Sequence, residues 1–364
     1  MTIVLRILQI GVGIVLAFLV YVVIALCHGT LRDWQPDDVL QVAPEQSATL
    51  ETVEDSTLTF ALWNVGYGGL GARSDFFYDN GYFFTSGDKM VRSEDAMVAD
   101  YVDGMKQFVR RVESDFYLLQ EVDRESKRSY YRDEFDALDD LRPSYASTFA
   151  ANYRSPRVPL PVMEPWGVMG TMHSGLMTLL KYQPTEVVRY QLPGEYEWPT
   201  RIFQLDRCAA LHRVPTASGK ELVVVNVHNS AYDKGGFIKK EQMNFLRDLL
   251  TTEYAKGNYV VVGGDWNQVP PGVDFKLFMP EYGGAYEQIA IREDLMPEGW
   301  QWAYDTTVPT NRKAADAYTP GKTFVTLIDF FLVSPNVEVV STRGVDQGFA
   351  YSDHQPVVME VRLR

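Results

Sequence analysis

Cysteine is nearly absent from this 364-residue chain, in which Cys27 and Cys208 are the only two. No disulfide framework can hold the fold, so its core has to come from ordinary packing. A basic surplus is missing too: 34 Lys and Arg stand against 48 Asp and Glu, a formal charge of −14. A negative surface repels the phosphate backbone at long range, which argues against a tight, non-specific nucleic-acid binder. Internal repeats and low-complexity blocks are lacking, and 46% hydrophobic with 23% charged residues is close to a globular average. That balance excludes a disordered, collagen-like or polytopic membrane chain. Some catalytic signatures are absent as well, among them His-Glu-x-x-His for zinc and Gly-x-Ser-x-Gly for a serine nucleophile. Gly321-Lys322-Thr323 imitates the end of a phosphate-binding loop, but Asp316 stands where its first glycine belongs.

What is present begins with a strong local bias. Ile7 to Leu26 is a twenty-residue apolar run whose only strongly polar side chain is Gln9. A helix of that length spans the bilayer's hydrocarbon core, and the run exceeds the usual apolar stretch of a signal peptide. Residues 1–30 are expected to form a transmembrane anchor, with a cleaved signal as the alternative. Leu26 before Cys27 is larger than the small residue that lipid-attachment sites require, which weakens a lipoprotein reading. Arg6 precedes the run while Asp33, Asp37 and Asp38 follow it. The positive-inside bias then keeps the N-terminus in the cytoplasm and puts the bulk of the chain outside. Residues 31–56 hold seven acidic residues against one basic, with Pro36, Pro44 and no sustained periodicity. They read as a solvated juxtamembrane linker. Residues 57–364 remain as one large domain.

Within that domain short β-branched runs alternate with longer helical patterns. Leu58–Val65, Asp115–Gln120, Leu222–His228, Tyr259–Gly264, Leu327–Val333 and Val357–Leu363 read as strands, mostly too apolar for one solvated face. Ser93–Val112, Ser129–Leu141 and Gly236–Lys256 read as helices. Alternation of this kind indicates α/β packing, with helices covering sheet faces. The aromatic, Gly-rich stretch Gly66–Met90 and the Pro-rich stretch Asn152–His173 read as long loops, too apolar for disorder.

Polar residues with chemical potential recur where the strands end. Asn64, Glu121 and His228 end three of them, Asp265 and Asn267 follow a fourth, Asp329 sits inside an apolar run, and Ser352-Asp353-His354 opens the last. Open α/β folds place their sites on such a rim. Taken singly, an Asp or Asn after a strand is usually a turn or cap residue, and a lone His is more often structural than catalytic. Asp329 is harder to dismiss, because a buried carboxylate is costly unless partnered, and His354 is available. Six such positions together favour a site. Cys208 lies in an apolar stretch and reads as buried rather than reactive. His173, beside the Pro-rich stretch, reads either as a surface residue or as one that approaches the site. Arg110-Arg111 and Lys127-Arg128 are too sparse for a duplex groove and read as solvated helix faces.

These residues resemble the endonuclease/exonuclease/phosphatase superfamily of metal-dependent phosphoesterases. The resemblance runs from about Thr57 to Leu363. It rests on Asn64, Gln120-Glu121, His228, Gly264-Asp265-Trp266-Asn267, Ile328-Asp329 and Ser352-Asp353-His354, in the family's order, with Trp266 where Phe is commoner. It implies a four-layer α/β sandwich, two packed mixed sheets flanked by helices. It further implies Glu121 as principal metal ligand with Asp353 and Asn64 nearby, and Asp265 and Asn267 orienting water and contacting phosphate. His354 held by Asp329 would be the acid/base or phosphate-stabilising group, and His228 a second imidazole. Whether Asp265 or the His354–Asp329 pair activates water stays open.

The chemistry asks for such residues in its own right. Attack of water on an anionic phosphodiester needs neutralised charge and a positioned nucleophile. Oxygen ligands such as Glu121 suit Mg²⁺, with Mn²⁺ as the alternative. The anchor raises the prior for a lipid headgroup or small phosphodiester, and the aromatic stretch Tyr67–Phe84 reads as a lipid-contacting lid or as a plug for its own core. An extracytoplasmic nuclease on DNA or RNA is the second expectation, and an inactive membrane-tethered binding module the third. No obligate protein partner is inferred.

Overall fold

A computed structural model describes residues 2–364 except 195, 232, 234, 275, 280 and 282–287. Two mixed sheets pack face to face, with helices on their outer faces. The first has seven strands in the order 39–41, 186–191, 208–215, 221–228, 259–265, 329–333 and 301–303. The second has six, in the order 337–344, 357–363, 57–64, 116–123, 170–180 and 146–158.

Strand period explains the layering. In Thr57–Asn64 the side chains of Phe60 and Leu62 point between the sheets, while Ala61 and Trp63 point outward. The inner layer joins Phe60, Leu62 and Phe116 to Val224, Val261 and Phe331 of the other sheet. On one outer face helix α2 (Asp95–Arg111) lays Val98, Val102, Met105 and Phe108 over Trp63 and Leu119. Burying each such side chain stabilises by about 1.5–3 kcal/mol. Arg110 and Arg111 close its last turn in solvent, as expected. The short α3 (Glu134–Asp139) sits beside it, and α4 (Phe237–Ala255) covers the other sheet through Met243, Leu246 and Leu250.

A polar seam crosses the core. Gln120 Nε2 donates to Asn226 Oδ1 at 2.7 Å, and Asn226 Nδ2 bonds Leu119 O, Met177 O and Thr178 Oγ1 at 3.0–3.2 Å. His212 is buried beside Thr148 Oγ1 at 2.8 Å and contacts Val224 O. Burial lowers its pKa to about 4, so it is neutral there.

The N-terminal helix α1 (Thr2–Leu31) is long and apolar enough to cross a membrane, and none of its apolar window is buried. Its last turn touches the domain. Gly29 lies so near the 200–203 turn that a Cβ there would meet Ile202 Cδ1 at 2.9 Å and Phe203 Cε1 at 3.2 Å. Trp198 Nε1 donates to Thr30 Oγ1 at 3.1 Å.

Three expectations need correction. The acidic stretch 31–56 does not stand free. Val39–Gln41 pairs with Val188–Tyr190, and Val53 N bonds Pro215 O at 2.9 Å, because sheet edges offer the partners that its own sequence pattern does not reveal. The helix expected over Ser129–Leu141 shrinks to α3: Tyr130 and Tyr131 take left-handed φ of 57° and 58°, and Asp133 then caps the new start. The Pro-rich stretch 152–173 is a loop only over 159–169, its two ends belonging to long antiparallel strands, with Pro156 tolerated where the register shifts between Ser155 and Val158.

Candidate functional site

Strand register brings the polar ends together. Asn64 lies beside Gln120 in one parallel pair and His228 beside Asp265 in another, while Asp329 faces Asp265 across an antiparallel ladder. The strand 116–123 is irregular between Leu119 and Val122, and Glu121 takes a left-handed φ of 56°. That bulge turns its carboxylate out of the pleat and into a cleft of about 290 Å³. Gly66 is required next to it: at φ 56°, a Cβ would stand 2.8 Å from Asp353 Oδ1 and 2.9 Å from Ser352 Oγ.

Asp265 is the hub. Its Oδ1 accepts from Asn267 N at 2.9 Å, and its Oδ2 accepts from Asn64 Nδ2 at 3.0 Å across the two sheets. The same Oδ2 lies 3.5 Å from His228 Nε2 and 3.8 Å from His354 Nε2. His354 Nδ1 donates to Asp329 Oδ2 at 2.8 Å, and Thr310 Oγ1 holds the Asp329 backbone N–H at 3.0 Å. Asn267, at φ 51°, gives its side-chain nitrogen to Asn229 O at 2.9 Å and lines the cleft. Asn64 shows its amide nitrogen to the carboxylates, Glu121 Oε1 lying 3.2 Å away, because Gly66 N occupies its oxygen. In that orientation its amide nitrogen, rather than its oxygen, faces the carboxylates.

The two cleft imidazoles differ in charge. Burial works against charging His354, but Asp329, Asp265 and Asp353 together outweigh it and push its pKa well up. His228 meets burial and then the nearby Arg207, and both push its pKa well down. Its Nδ1 is buried without a partner among the described residues. Asp353 is raised to about 7, first by burial and, beyond the opposing His354, by the adjacent Glu121. Two facing acids that their positive neighbours do not fully offset are what a divalent cation relieves. Asp265, Asp329 and His354 also converge within 4.8 Å, a buried group able to hold a metal. Their hydrogen bond already commits His354 Nδ1, which makes the Glu121–Asp353 side the better fit.

All eight expected residues thus fall in or beside one cleft. His173 does not: it pairs with Arg154, packs edge-on against Phe149 and lines a separate crevice. Cys208 is buried, as expected. Arg128, expected in solvent, is buried. It grips Asp123 with two bonds of 2.9 and 3.0 Å, lies 3.6 Å over the Tyr67 ring and lines the cleft. Charge clusters read as exposed by default, and its partner ring lies far away in sequence. Asn311 is also new: its side-chain nitrogen lies 3.0 Å from His354 Nε2 while its oxygen is unpartnered among the described residues. Turning that amide over would offer an acceptor instead, so Asn311 can match either protonation state of His354.

The aromatic stretch divides. Tyr67 and Phe77 are buried, whereas Tyr82, Phe83 and Phe84 are exposed. Val158, Leu160, Met169, Phe203 and Leu205 form an apolar wall of the cleft.

No curated protein sequence matches the chain. Among solved structures it is similar to an endonuclease/exonuclease/phosphatase from Beutenbergia cavernae, at TM-score 0.54 and 18% identity over 85% of this chain and 72% of that one. A second, from Bacteroides vulgatus, gives 0.51 and 17% over 85% and 100%. ANGEL2, a 2',3'-cyclic phosphatase in complex with adenosine-2',3'-vanadate, gives 0.54 and 13% over 89% and 99%. Likeness at such identities establishes the fold and leaves the substrate open. Sequence carries the assignment further, since the Endonuclease/Exonuclease/phosphatase family profile matches residues 61–354, and the chain belongs to that family of phosphoesterases.

Proposed function

We propose that this chain is a membrane-tethered, Mg²⁺-dependent phosphodiesterase whose substrate is a lipid headgroup or a similar amphipathic phosphodiester. One observation carries the lipid reading: Phe203 both lines the cleft's apolar wall and packs against the last turn of α1. Acyl chain and anchor would then approach the site from one apolar side. With Arg6 ahead of the apolar run of α1 and acidic residues after the helix, the domain sits on the extracytoplasmic face.

Glu121 and Asp353 would hold the metal, which when bound neutralises phosphate charge and lowers the barrier to attack. Asp265, fixed by Asn64 and Asn267, takes the proton of the attacking water. It is the free base of the pair, because His354 already carries its proton as an imidazolium braced by Asp329. His354 instead stabilises the negative charge that grows on phosphoryl oxygen. Neutral His228 contributes a hydrogen bond rather than a proton, and Asn267 orients the water.

A nuclease is the second reading, favoured by the likeness to a phosphatase crystallised with a cyclic-nucleotide analogue. A turnover screen of the detergent-solubilised chain separates the two. With Mg²⁺, phospholipid micelles should be cleaved faster than plasmid DNA, and EDTA should abolish both. DNA cleavage without lipid cleavage would establish the nuclease instead. Activity untouched by EDTA would overturn the metal mechanism. No turnover and no Mg²⁺ binding by calorimetry would leave an inactive binding module.

A further inference from the structure

Lys239 stands in the first turn of α4, only 5% exposed, and its side chain lines the cleft. Three features make it costly there. Its ammonium is largely removed from water, it lies at the positive end of a 19-residue helix, and no carboxylate among the described residues is within ion-pair distance. Asp233 does not offset it directly: its Oδ2 accepts from the Lys239 backbone N–H at 2.8 Å, so that carboxylate serves the helix start. The turn is held rigidly, since Gln242 of α4 bonds Ser230 through both N–H and hydroxyl at 2.9 Å. Burial pushes the Lys239 pKa down, against the pull of Asp233 and Asp265.

An uncompensated, positioned cation inside a substrate cleft is an anion site waiting for its ligand. Arg207 lines the cleft as well and adds positive field. Phosphodiester chemistry already has its own groups in Asp265, His354 and the metal-binding carboxylates. We propose that Lys239 binds a second anionic group of the substrate, a phosphate or carboxylate carried next to the scissile phosphodiester. This rests on the phosphodiesterase reading above and narrows its substrate to a polar part with an additional negative charge.

The test uses two probes that are not hydrolysed, methylphosphonate with one anionic group and methylenediphosphonate with two. Binding to the full chain in detergent is measured by calorimetry at fixed excess Mg²⁺. Methylenediphosphonate should bind wild type about 10- to 100-fold more tightly, the range of a charge-assisted contact made in a desolvated site. Lys239→Met keeps the aliphatic stem and should erase most of that margin while leaving methylphosphonate unchanged. Lys239→Arg should restore it. Lys239→Met should also melt no lower than wild type, because it removes a buried charge that has no ion-pair partner among the described residues. Equal weakening of both probes would assign Lys239 to the scissile phosphate and overturn the proposal, as would an unchanged margin or a lowered melting temperature. Should no phosphodiester be turned over while the margin persists, the catalytic reading fails and the anion site stands.

Discussion

Two polar regions lie between the same two sheets and behave in opposite ways. In the interior seam Gln120, Asn226, Thr178, Thr148 and His212 are neutral, and Asn226 spends its amide hydrogens on backbone and side-chain oxygens of the facing sheet. At the cleft rim Glu121, the residue after Gln120, meets Asp265 and Asp353, acids that crowd one another, and His228 Nδ1 and Asn311 Oδ1 lack partners among the described residues. The seam carries no charge, and of its side chains only Gln120 leaves an atom, Oε1, without a partner among the described residues. The rim instead gathers acids and imidazoles, and crowded charge is what distinguishes the two regions.

The sharpest way to break this contrast is to substitute at the rim. Asp265→Asn and His354→Ala should each lower kcat by about 10³-fold or more, the scale of losing a positioned proton acceptor or charge stabiliser. Thermal unfolding followed by circular dichroism should move by only a few degrees, because both side chains serve chemistry more than packing. A His354→Ala enzyme with near-normal turnover would remove the rim from the mechanism.

The seam predicts the reverse. Asn226→Ala leaves Gln120 Nε2 with only Leu118 O, at 3.2 Å, and takes a side-chain donor from the carbonyls of Leu119 and Met177 and from Thr178 Oγ1 in a water-free layer. Each unsatisfied group costs about 1–3 kcal/mol, so denaturant unfolding should show a loss of about 2–4 kcal/mol. The folded fraction should keep its kcat. An Asn226→Ala protein that is stable but inactive would mean that the seam reaches into the reaction.

How much of this was legible beforehand follows from the same contrast. Asp329 inside an apolar run and Asp265 after Gly263-Gly264 stand out, because carboxylates at buried strand ends violate local expectation, and such violations mark sites. The sandwich and its main strands follow from apolar runs of strand length. Arg128 was not legible: nothing near it announces that Tyr67, on a different strand end, offers a ring to lie on. Lys239 and Asn311 read as an ordinary helix residue and an ordinary loop residue until the fold sets them in the cleft. The strap 31–56 owes its order to edge pairing with strands more than a hundred residues away, a contact without local periodicity. The helix that shortened to α3 failed at Tyr130 and Tyr131, where left-handed backbone falls on residues that rarely adopt it.

The smallest effect is a pH dependence in which the rim supplies the falling part. Asp353 has its folded pKa raised to about 7 and Asp329 to about 6, while an unfolded Asp titrates near 3.9. Between those values the folded state binds more protons than the unfolded one, so metal-free protein should lose stability as pH rises from about 4 to 7. Each group contributes at most about 1.4 kcal/mol per pH unit within its window. His354, with its folded pKa raised, adds stability that is present below about 6.5 and fades as pH climbs through the higher folded value. These three signs agree, whereas His212 and His228, whose pKa values burial lowers, oppose them below about pH 6.5, so the rim's share is the fall in melting temperature from pH 5 to pH 8 that metal-free wild type shows in excess of Asp353→Asn. Asp353→Asn should remove the falling part of that slope between pH 4 and 7, while the seam's His212, with a folded pKa of about 4, contributes the opposite sign up to about pH 6.5 in both proteins alike. Saturating Mg²⁺ should flatten it too, since an ion between Glu121 and Asp353 supplies the positive charge that protons otherwise bring. A slope indifferent to both Asp353→Asn and Mg²⁺ would place the crowded charge, and with it the metal, somewhere other than this rim.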